Sequence, residues 1–393
     1  NQTVTGQVVS VLQSAGHFWL QSADVADWGL PLTQAVLDDQ GRLAIDALPE
    51  VKVAYDSANL RLLIDVPPAW LPKQVLGRDG LPAHPARSSQ GLVFNYDIYS
   101  THAARGPSQT STWNELRGFN RLGVFSSTGV LRQISGGSAR YQRYDTRWSF
   151  ADEERMLTWE AGDLVTRGPA WSSAVRLGGL QLSRDFSLRP DIVSYPMPQL
   201  AGQSAVPGAV DLFVNGYRAS QGPVAAGPFV LNDVPMINGA GEAVIVVTDA
   251  QGRQVSTTVP FYVSSALLKP GLSDYAVSGG ALRRNYGWRD FDYGRLAAQG
   301  SWRYGVHEGL TLEGHAEAAA GLGLVGAGSV LRLGQAGVLN LAWSSSRHAT
   351  GWGSQQTLGY QYNKRNFNIS AQHRRNSGNF VDLGGIEWPE PPN

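Results

Sequence analysis

The sequence of 393 residues contains no cysteine, and charged residues make up only 16% of it. The absence of cysteine excludes disulfide scaffolds, thiolate metal sites and cysteine nucleophiles. Basic and acidic residues balance at 32 each, so no net field attracts nucleic acid, and we expect no nucleic-acid partner. No apolar run is long enough for a transmembrane helix. The chain begins at Asn1 rather than Met, which favours a processed form or a fragment.

Glycine and aromatic residues are abundant, with 46 Gly, 12 Trp, 14 Tyr and 12 Phe. Low charge combined with many glycines and aromatics favours β structure with frequent turns over helix bundles. From Gly91 onward, apolar and polar residues alternate with a period of two, as expected of β-strands. In "YQRYDTRWSF", Tyr144, Trp148 and Phe150 oppose Arg143, Asp145 and Arg147.

The polar face of these strands carries charges of both signs, and aromatic residues gather near the strand ends on the other face. Both features are typical of a transmembrane β-barrel with a hydrated lumen, and segments of about ten residues suit a tilted strand that crosses a bilayer. A soluble array of β-sandwiches also alternates and remains the other interpretation. In the barrel interpretation the candidate pore-lining residues are Arg143, Arg147, Arg176, Glu313 and Glu317.

Two other regions differ from this pattern. Residues 1–77 mix short strands with one helix and predict a small α/β domain, and residues 78–90 have the Gly, Pro and Ser content of a linker. Residues 203–266 predict a compact β-sandwich, with hairpins that turn at Asn215-Gly216 and between Asp249 and Gly252. Its expected core is Val210, Leu212, Val214, Phe229, Leu231, Val244 and Val246.

The strands of residues 91–202 and 267–393 share one pattern, so the sandwich is expected to interrupt a single sheet. In a wide barrel an inserted domain can enter the lumen and block it, because large barrels are often plugged. The predicted fold is therefore mainly β: part of a large transmembrane β-barrel with an inserted plug and a small N-terminal domain.

The long run from "GDLVTRG" to "LRRNYG" resembles the outer-membrane fimbrial usher family of the chaperone–usher pathway, and the variant resembles its archaic, Csu-like branch. The stretches "FWLQSADVADWGL" and "LRLLIDVPPAWL" are similar to the periplasmic N-terminal domain of ushers. An usher barrel has about two dozen strands, near the top of the single-chain range, whereas roughly thirteen or fourteen are recognisable here. This difference predicts an N-terminal portion of a longer chain.

The resemblance implies a translocation platform in the bacterial outer membrane, in contact with its lipid, with the N-terminal domain in the periplasm. A periplasmic pilus chaperone would deliver pilin subunits, which would join by donor-strand exchange, a form of β-augmentation. No enzyme activity, nucleotide hydrolysis, cofactor or metal is implied. The sequence leaves open whether two copies associate as a homodimer.

The resemblance also suggests site residues. The candidate gating residues of the plug are Asp211, Phe213, Asn215, Gly216, Pro228, Phe229, Asp249 and Gly252. The alternative is that they only build the sandwich, because Asn-Gly and Asp-x-x-Gly are common turn chemistry. Phe18 and Trp28 are candidate anchors for the chaperone–subunit complex, with packing in the domain core as the alternative.

Motifs that suggest catalysis fail on their context. "GLGLVG" matches a dinucleotide-binding pattern but is followed by a strand–turn–strand pattern instead of a helix. The acidic run "DEE" at 152–154 lies in a predicted turn, and the histidines show no metal-binding spacing. Two other functions remain open: a porin-like plugged channel, and a soluble adhesive or carbohydrate-active protein.

Overall fold

The computed structural model describes residues 7–28, 37–76, 89–102, 106–231, 238–249, 251–349 and 351–386. One short α-helix, α1, spans Ser22–Asp27, and 3-10 turns span Ile45–Ala47, Pro68–Trp70 and Phe186–Leu188. No helix in these ranges is long and apolar enough to cross a membrane. The strands are β1 Leu12–Ser14, β2 His17–Gln21, β3 Arg42–Ala44, β4 Lys52–Asp56, β5 Arg61–Asp65, β6 Gln74–Leu76, β7 Gly91–Thr101, β8 Gln109–Asn120, β9 Gly123–Ile134, β10 Arg140–Asp152, β11 Leu157–Val165, β12 Arg176–Arg184, β13 Leu200–Ser204, β14 Gly208–Val214, β15 Tyr217–Val224, β16 Gly227–Leu231, β17 Gly239–Asp249, β18 Gln254–Val263, β19 Ser273–Arg283, β20 Tyr293–His307, β21 Leu310–Ala319, β22 Leu322–Arg332, β23 Val338–His348, β24 Gly351–Lys364 and β25 Phe367–Asn376.

The chain forms two compact units. The first joins Asn1–Gly80 to Met197–Val263, and the second joins Leu81–Pro196 to Ser264–Asn393. The expected start of the inserted domain was residue 203. In the structure its segment begins earlier, at Met197, and β13 pairs with β16 from Leu200 onward. Most of the predicted linker, residues 78–90, lies outside the described residues.

The second unit contains one large antiparallel sheet. Its strands pair in the order β7-β8-β9-β10-β11-β12-β19-β20-β21-β22-β23-β24-β25. Strands β12 and β19 are direct neighbours, with Leu177 opposite Leu282, although the inserted domain separates them in the sequence. The chain thus leaves this sheet after β12 and re-enters it beside β12 at β19.

The faces of this sheet are inverted relative to a water-soluble protein. Along β21, Thr311, Glu313, His315 and Glu317 are buried, whereas Leu312 is exposed. Large apolar side chains are exposed on most of the strands, including Leu180, Val277, Leu296, Trp302, Val325, Trp343 and Leu358. A polar inner face and an apolar outer face suit a sheet that is surrounded by lipid and lines a hydrated interior. The predicted alternation is confirmed.

Strand β10 departs from strict alternation. The register between β9 and β10 shifts between Arg143 and Thr146, which marks a β-bulge. As a result, the sequence neighbours Gln142 and Arg143 are both buried. A bulge inserts an extra residue and redirects the side chains next to it.

In the first unit, the N-terminal domain packs a small apolar core between β1–β2–β3, α1 and the hairpin of β4 and β5. The buried members are Leu20, Val25, Leu43, Ile45, Leu48, Val51 and Val66. Trp70 and Leu71, at the end of this domain, are partly buried against the same cluster.

The inserted domain contains the strand order β15-β14-β17-β18 and the three-stranded sheet β13-β16-β6. Five of the seven predicted core residues are buried, namely Val210, Leu212, Val214, Phe229 and Leu231. Val244 and Val246 are only partly buried, and the prediction for them was wrong: Ala243 and Ile245 take their place. Residues 243–247 are all apolar, so the sequence shows no alternation that would identify the buried face of β17. The pairing of Leu212 with Ile245 decides which face is buried.

Candidate functional site

The inner face of the large sheet is lined by charged side chains held in specific pairs. Arg143 Nη1 donates a hydrogen bond of 2.5 Å to Asp163 Oδ2, and the hydroxyl of Tyr293 donates to Asp163 Oδ1 at 2.8 Å. The backbone N–H of Thr146 also donates to Asp163, at 2.9 Å. The bulge in β10 brings Arg143 and Thr146 to the same carboxylate, so Asp163 joins three strands: β10, β11 and β20.

The loop of residues 284–292, between β19 and β20, reaches back to β10. Asp290 accepts hydrogen bonds from the side chain of Gln142 at 2.5 Å and from the backbone N–H of Arg143 at 2.9 Å. The guanidinium of Arg143 lies 4.1 Å from the ring centre of Phe291. Because β11, β12 and β19 separate β10 from β20 in the sheet, this loop straps one end of the inner face.

Tyr286 in the same loop makes a second attachment. Its hydroxyl donates to Asp145 Oδ2 at 2.7 Å, and Arg176 stacks on its ring at 3.7 Å while donating to Asp145 Oδ1 at 3.2 Å. Burial, with the hydrogen bond to Asp145, raises the pKa of Tyr286 to about 12. The phenol therefore remains a protonated donor at physiological pH.

A second inward segment, residues 166–175, connects β11 to β12. Its Trp171 is 5% exposed and donates from Nε1 to Glu313 Oε2 at 2.8 Å. A Cβ atom at Gly326 would lie 2.8 Å from the indole of Trp171, and one at Gly328 would lie 2.6 Å from it. Gly326 and Gly328 of "GLGLVGAG" thus make room for an aromatic side chain, and strand β23, not a helix, follows this motif.

Glu313 and Glu317 are both satisfied within the second unit. Arg303 Nε donates to Glu313 Oε1 at 2.8 Å, opposite the contact from Trp171. Glu317 Oε1 lies 2.9 Å from His315 Nε2, and Glu317 Oε2 accepts from the backbone N–H of Leu383 at 2.7 Å. Both carboxylates are therefore held by specific donors.

Leu383 belongs to the segment after β25, which also folds inward. It is 2% exposed and packs in an apolar cluster with Leu164, Leu177 and Leu282. The hydroxyl of Ser173 donates to Asp382 Oδ2 at 2.6 Å, which connects this segment to residues 166–175.

A cavity of about 630 Å³, lined by both polar and apolar side chains, lies beside these segments. Its lining includes Arg167, Trp171, Arg303, Asn340, Thr357 and Gln361. Among the described residues, no group of His, Cys, Asp and Glu side chains has the arrangement of a metal site.

The five predicted pore-lining residues lie on strands β10, β12 and β21 of the large sheet, and each has an oppositely charged or hydrogen-bonding partner. Arg147 is half-exposed and lies 3.8 Å from Glu160. Arg143, Arg176, Glu313 and Glu317 have the partners described above. Strict alternation along β11 puts Asp163 in phase with Trp159 and Val165, which are exposed, so the sequence pattern does not predict its buried position. Trp171 and Asp290 lie in loops without a periodic signal, so the sequence does not predict them either.

The predicted gating residues all lie in the inserted domain. Asn215 and Gly216 have φ values of 51° and 84°, and Asn215 Oδ1 accepts from the N–H of Glu242 at 3.0 Å. Asp249 accepts from the N–H groups of Gln251 and Arg253, each at 2.9 Å. These two predicted turns are confirmed. Among the others, Gly252 has φ 80°, Phe229 is buried, Phe213 and Pro228 are partly buried, and Asp211 lies 3.4 Å from Arg218.

Phe18 and Trp28 lie on the N-terminal domain. Both are partly buried and pack against its apolar core. The indole of Trp28 donates to the side chain of Gln7, and the backbone N–H of Phe18 donates to Asp46 Oδ1 at 3.0 Å. Part of each ring remains accessible.

The chain is similar to known outer-membrane proteins. A family model described as "Outer membrane usher protein" matches residues 157–381, which is more than half of the chain. The outer membrane usher protein FasD of Escherichia coli is 27% identical over 318 residues, covering 77% of this chain and 37% of FasD. FimC of Bordetella pertussis, also an outer membrane usher protein, is 25% identical over 333 residues, covering 82% of this chain and 35% of FimC. The chain thus spans about a third of the length of the curated relatives it matches.

The fold is also that of a solved usher complex. It is the cryo-EM structure of an Escherichia coli P pilus tip assembly intermediate, PapC-PapD-PapK-PapG, matched with a TM-score of 0.54 and 20% identity over 96% of this chain and 50% of that chain.

The family match begins at β11 and extends beyond β25, so it includes both the polar-lined strands and the domain that interrupts them. The apolar outer face of the sheet agrees with the outer-membrane location that the family description states. The Csu-like branch stays a prediction. With its inverted sheet and the family match over more than half its length, the chain belongs to the outer membrane usher family.

Proposed function

We propose that the protein is an usher that receives chaperone–pilin complexes and assembles and secretes a pilus through a pore gated by the inserted domain. The partners are a periplasmic pilus chaperone and pilin subunits. The process requires no nucleotide hydrolysis, cofactor or enzymatic step, because completing each subunit's open sheet edge releases the free energy. The porin-like alternative has no specific observation in its favour.

The observation that carries this proposal is the adjacency of β12 and β19. Between these two paired strands the chain forms a domain with its own buried core, which includes Leu212, Phe229 and Ile245. A loop that merely narrows a channel needs no such core. A gate that moves as a unit must be a separately folded domain.

The pairing of charges on the inner face supports passage of folded protein. Arg143, Glu313 and Glu317 each form charge-assisted hydrogen bonds with partners within the same unit. A lining of mutually neutralised charges is hydrated but presents few unpaired charges to a passing subunit. Such a surface lets protein move past without strong attachment.

The predicted gating residues fit an indirect role in this proposal. Asn215, Gly216 and Asp249 shape two hairpins, and Phe229 fills the core. We propose that Asp211, Phe213, Pro228 and Gly252 likewise keep the domain rigid. Gating then depends on the domain remaining folded while it changes position.

The N-terminal domain is the proposed receiving site. Phe18 and Trp28 keep part of their rings accessible while packing on the core, so they combine rigidity with apolar contact area. Aromatic anchors of this kind dominate many protein interfaces. The accessible ring edges are the proposed contact for a chaperone–pilin complex.

The test is deletion of residues 197–263 in the full-length protein, followed by conductance measurements in planar bilayers. The deletion is geometrically feasible because the N–H of Lys269 donates to the carbonyl of Ser194 at 2.8 Å, so the two ends lie close together. The proposed gate predicts a large, continuously open conductance and loss of pilus assembly.

The control variant is Tyr217→Ala, which changes an exposed side chain of the inserted domain and leaves its core intact. It is expected to keep the low resting conductance. A deletion variant that inserts correctly and conducts no more than the intact protein would contradict the proposal.

A further inference from the structure

The last strand of the N-terminal domain pairs with the inserted domain. Strand β6 runs parallel to β16, with Gln74 opposite Phe229, Val75 opposite Val230 and Leu76 opposite Leu231. It completes the three-stranded sheet β13-β16-β6, and without it the β16 edge would be unpaired there. Two segments separated by about 150 residues therefore share one sheet.

The side chain of Gln74 fastens this strand at one end. Its Oε1 accepts from the N–H of Ala225 at 2.9 Å. Its Nε2 lies 3.1 Å from the carbonyl oxygen of Ala225 and 3.3 Å from that of Ala226 and donates toward both. The side-chain amide of Gln74 thus both accepts from and donates to backbone groups, as the peptide group of a paired strand residue does.

Leu71, in the same segment, contacts both the core of the N-terminal domain and strand β16. It is partly buried against the apolar core of the N-terminal domain. A Cβ atom at Gly227 would lie 2.8 Å from the Cβ of Leu71, and Gly227 has φ 120°, which a side chain would strain. The close approach of Leu71 to β16 is therefore compatible with glycine at 227 and with few other residues.

We propose that residues 68–76 are a docking strand whose receptor is the β16 edge, and that it joins the N-terminal domain and the inserted domain into one body by β-augmentation. The occupant of this edge is the chain's own β6, because the register, the Gln74 amide and the Leu71–Gly227 contact all match it. A displacement of the N-terminal domain by an arriving subunit then reaches the inserted domain through this strand. That consequence rests on the proposed function, since it treats the inserted domain as the gate.

Cross-linking tests the docking directly, because the 393-residue sequence has no cysteine. The test variant is Val75→Cys with Val230→Cys in the full-length protein in outer membranes, with any cysteine elsewhere in that protein replaced. Register partners on neighbouring strands lie about 5 Å apart, within the range that a disulfide spans. Val75 is 57% exposed and Val230 is partly buried, so neither substitution opens the core.

Two matched pairs use the same sheet. Ala201 lies opposite Val230 on its other side, so Ala201→Cys with Val230→Cys reports that the inserted domain is folded. Val75→Cys with Ala201→Cys places the thiols two strands apart, about 10 Å, which is too far for a disulfide. Mild oxidation and non-reducing gels measure all three pairs.

The expected result is a Val75–Val230 cross-link that forms nearly as completely as the Ala201–Val230 cross-link, with little from the Val75–Ala201 pair. Adding Gln74→Ala should slow the Val75–Val230 reaction by about threefold or more while leaving the Ala201–Val230 reaction unchanged. Equal yields for Val75–Val230 and Val75–Ala201, with normal Ala201–Val230 cross-linking, would overturn the proposal. The readout does not depend on conductance, so it stands or fails separately from the proposed gate.

Discussion

Arg143 and Asp163 form a buried ion pair on the inner face, with Nη1 and Oδ2 2.5 Å apart and side chains only 8% and 4% exposed. Tyr293 closes the arrangement, because it donates to Asp163 and accepts from Arg143 Nη2 at 2.9 Å. In a soluble protein such a pair would lie in an apolar core. Here it lies among polar groups on the inverted face of a sheet, and it ties β10, β11 and β20 together.

Asp163→Asn should destabilise the large sheet by about 3–5 kcal/mol, because it leaves the Arg143 guanidinium buried without its counter-charge. The measurement is the urea concentration at which the folded form loses its characteristic mobility on unheated gels. Asp152→Asn is the control: its partner Arg155 is 79% exposed and 4.0 Å away, so a change below about 1 kcal/mol is expected. Equal midpoints for the two variants would contradict the assigned role of Asp163.

Val277→Arg should impair membrane assembly, because Val277 is 59% exposed on the apolar outer face of β19. An arginine facing lipid near the bilayer centre costs about 2–4 kcal/mol. Asn340→Arg introduces the same side chain on the inner face, where Asn340 lines the cavity, and should assemble nearly normally. The amounts of folded protein in outer-membrane fractions distinguish the two, and a reversed order would refute the assigned faces.

Gly216→Ala should destabilise the inserted domain by about 1–2 kcal/mol, because Gly216 has φ 84° in the turn after Asn215. No atom would clash with the added methyl group, so the cost comes from the backbone conformation alone. Gly222→Ala, in β15 with equally open space, should be neutral or stabilising by roughly 0.5–1 kcal/mol. Proteolysis rates of the inserted domain measure the difference, and equal rates would argue against the strained turn.

Asp46 should make the stability of the N-terminal domain depend on pH. Burial raises the pKa of its carboxyl, but hydrogen bonds from the backbone N–H of Phe18 and from His17 outweigh burial and lower the pKa below its ordinary value. The stabilisation is therefore fully present above the unfolded pKa of about 3.9 and is lost as pH falls through the lower folded value.

Cleavage by an acid-active protease between about pH 5 and about pH 3 measures this loss. Asp46→Asn should cost about 1–2 kcal/mol at neutral pH and flatten the profile. Asp39→Asn changes an exposed carboxylate in the same domain and should retain the profile of the unmodified protein. An unchanged profile in Asp46→Asn would exclude Asp46 as the cause.

The local signals in the sequence were sufficient for most of the strands and for their faces. Thr311, Glu313 and His315 alternate with apolar residues, so a period of two already assigned them to the polar face. The turns at Asn215-Gly216 and at Asp249 were equally predictable, because their backbone requirements are met by the residues themselves.

The tertiary structure decided which of these elements meet. The bulge between Arg143 and Thr146, the register that buries Ile245 instead of Val244, and the docking of Gln74 beside Ala225 all depend on partners distant in sequence. The chain by itself determined an inverted sheet interrupted by a self-contained domain, since period and turn chemistry are local. The partner of each buried charge and strand edge was decided only by the fold, because hydrogen bonds between distant segments leave no periodic trace in the sequence.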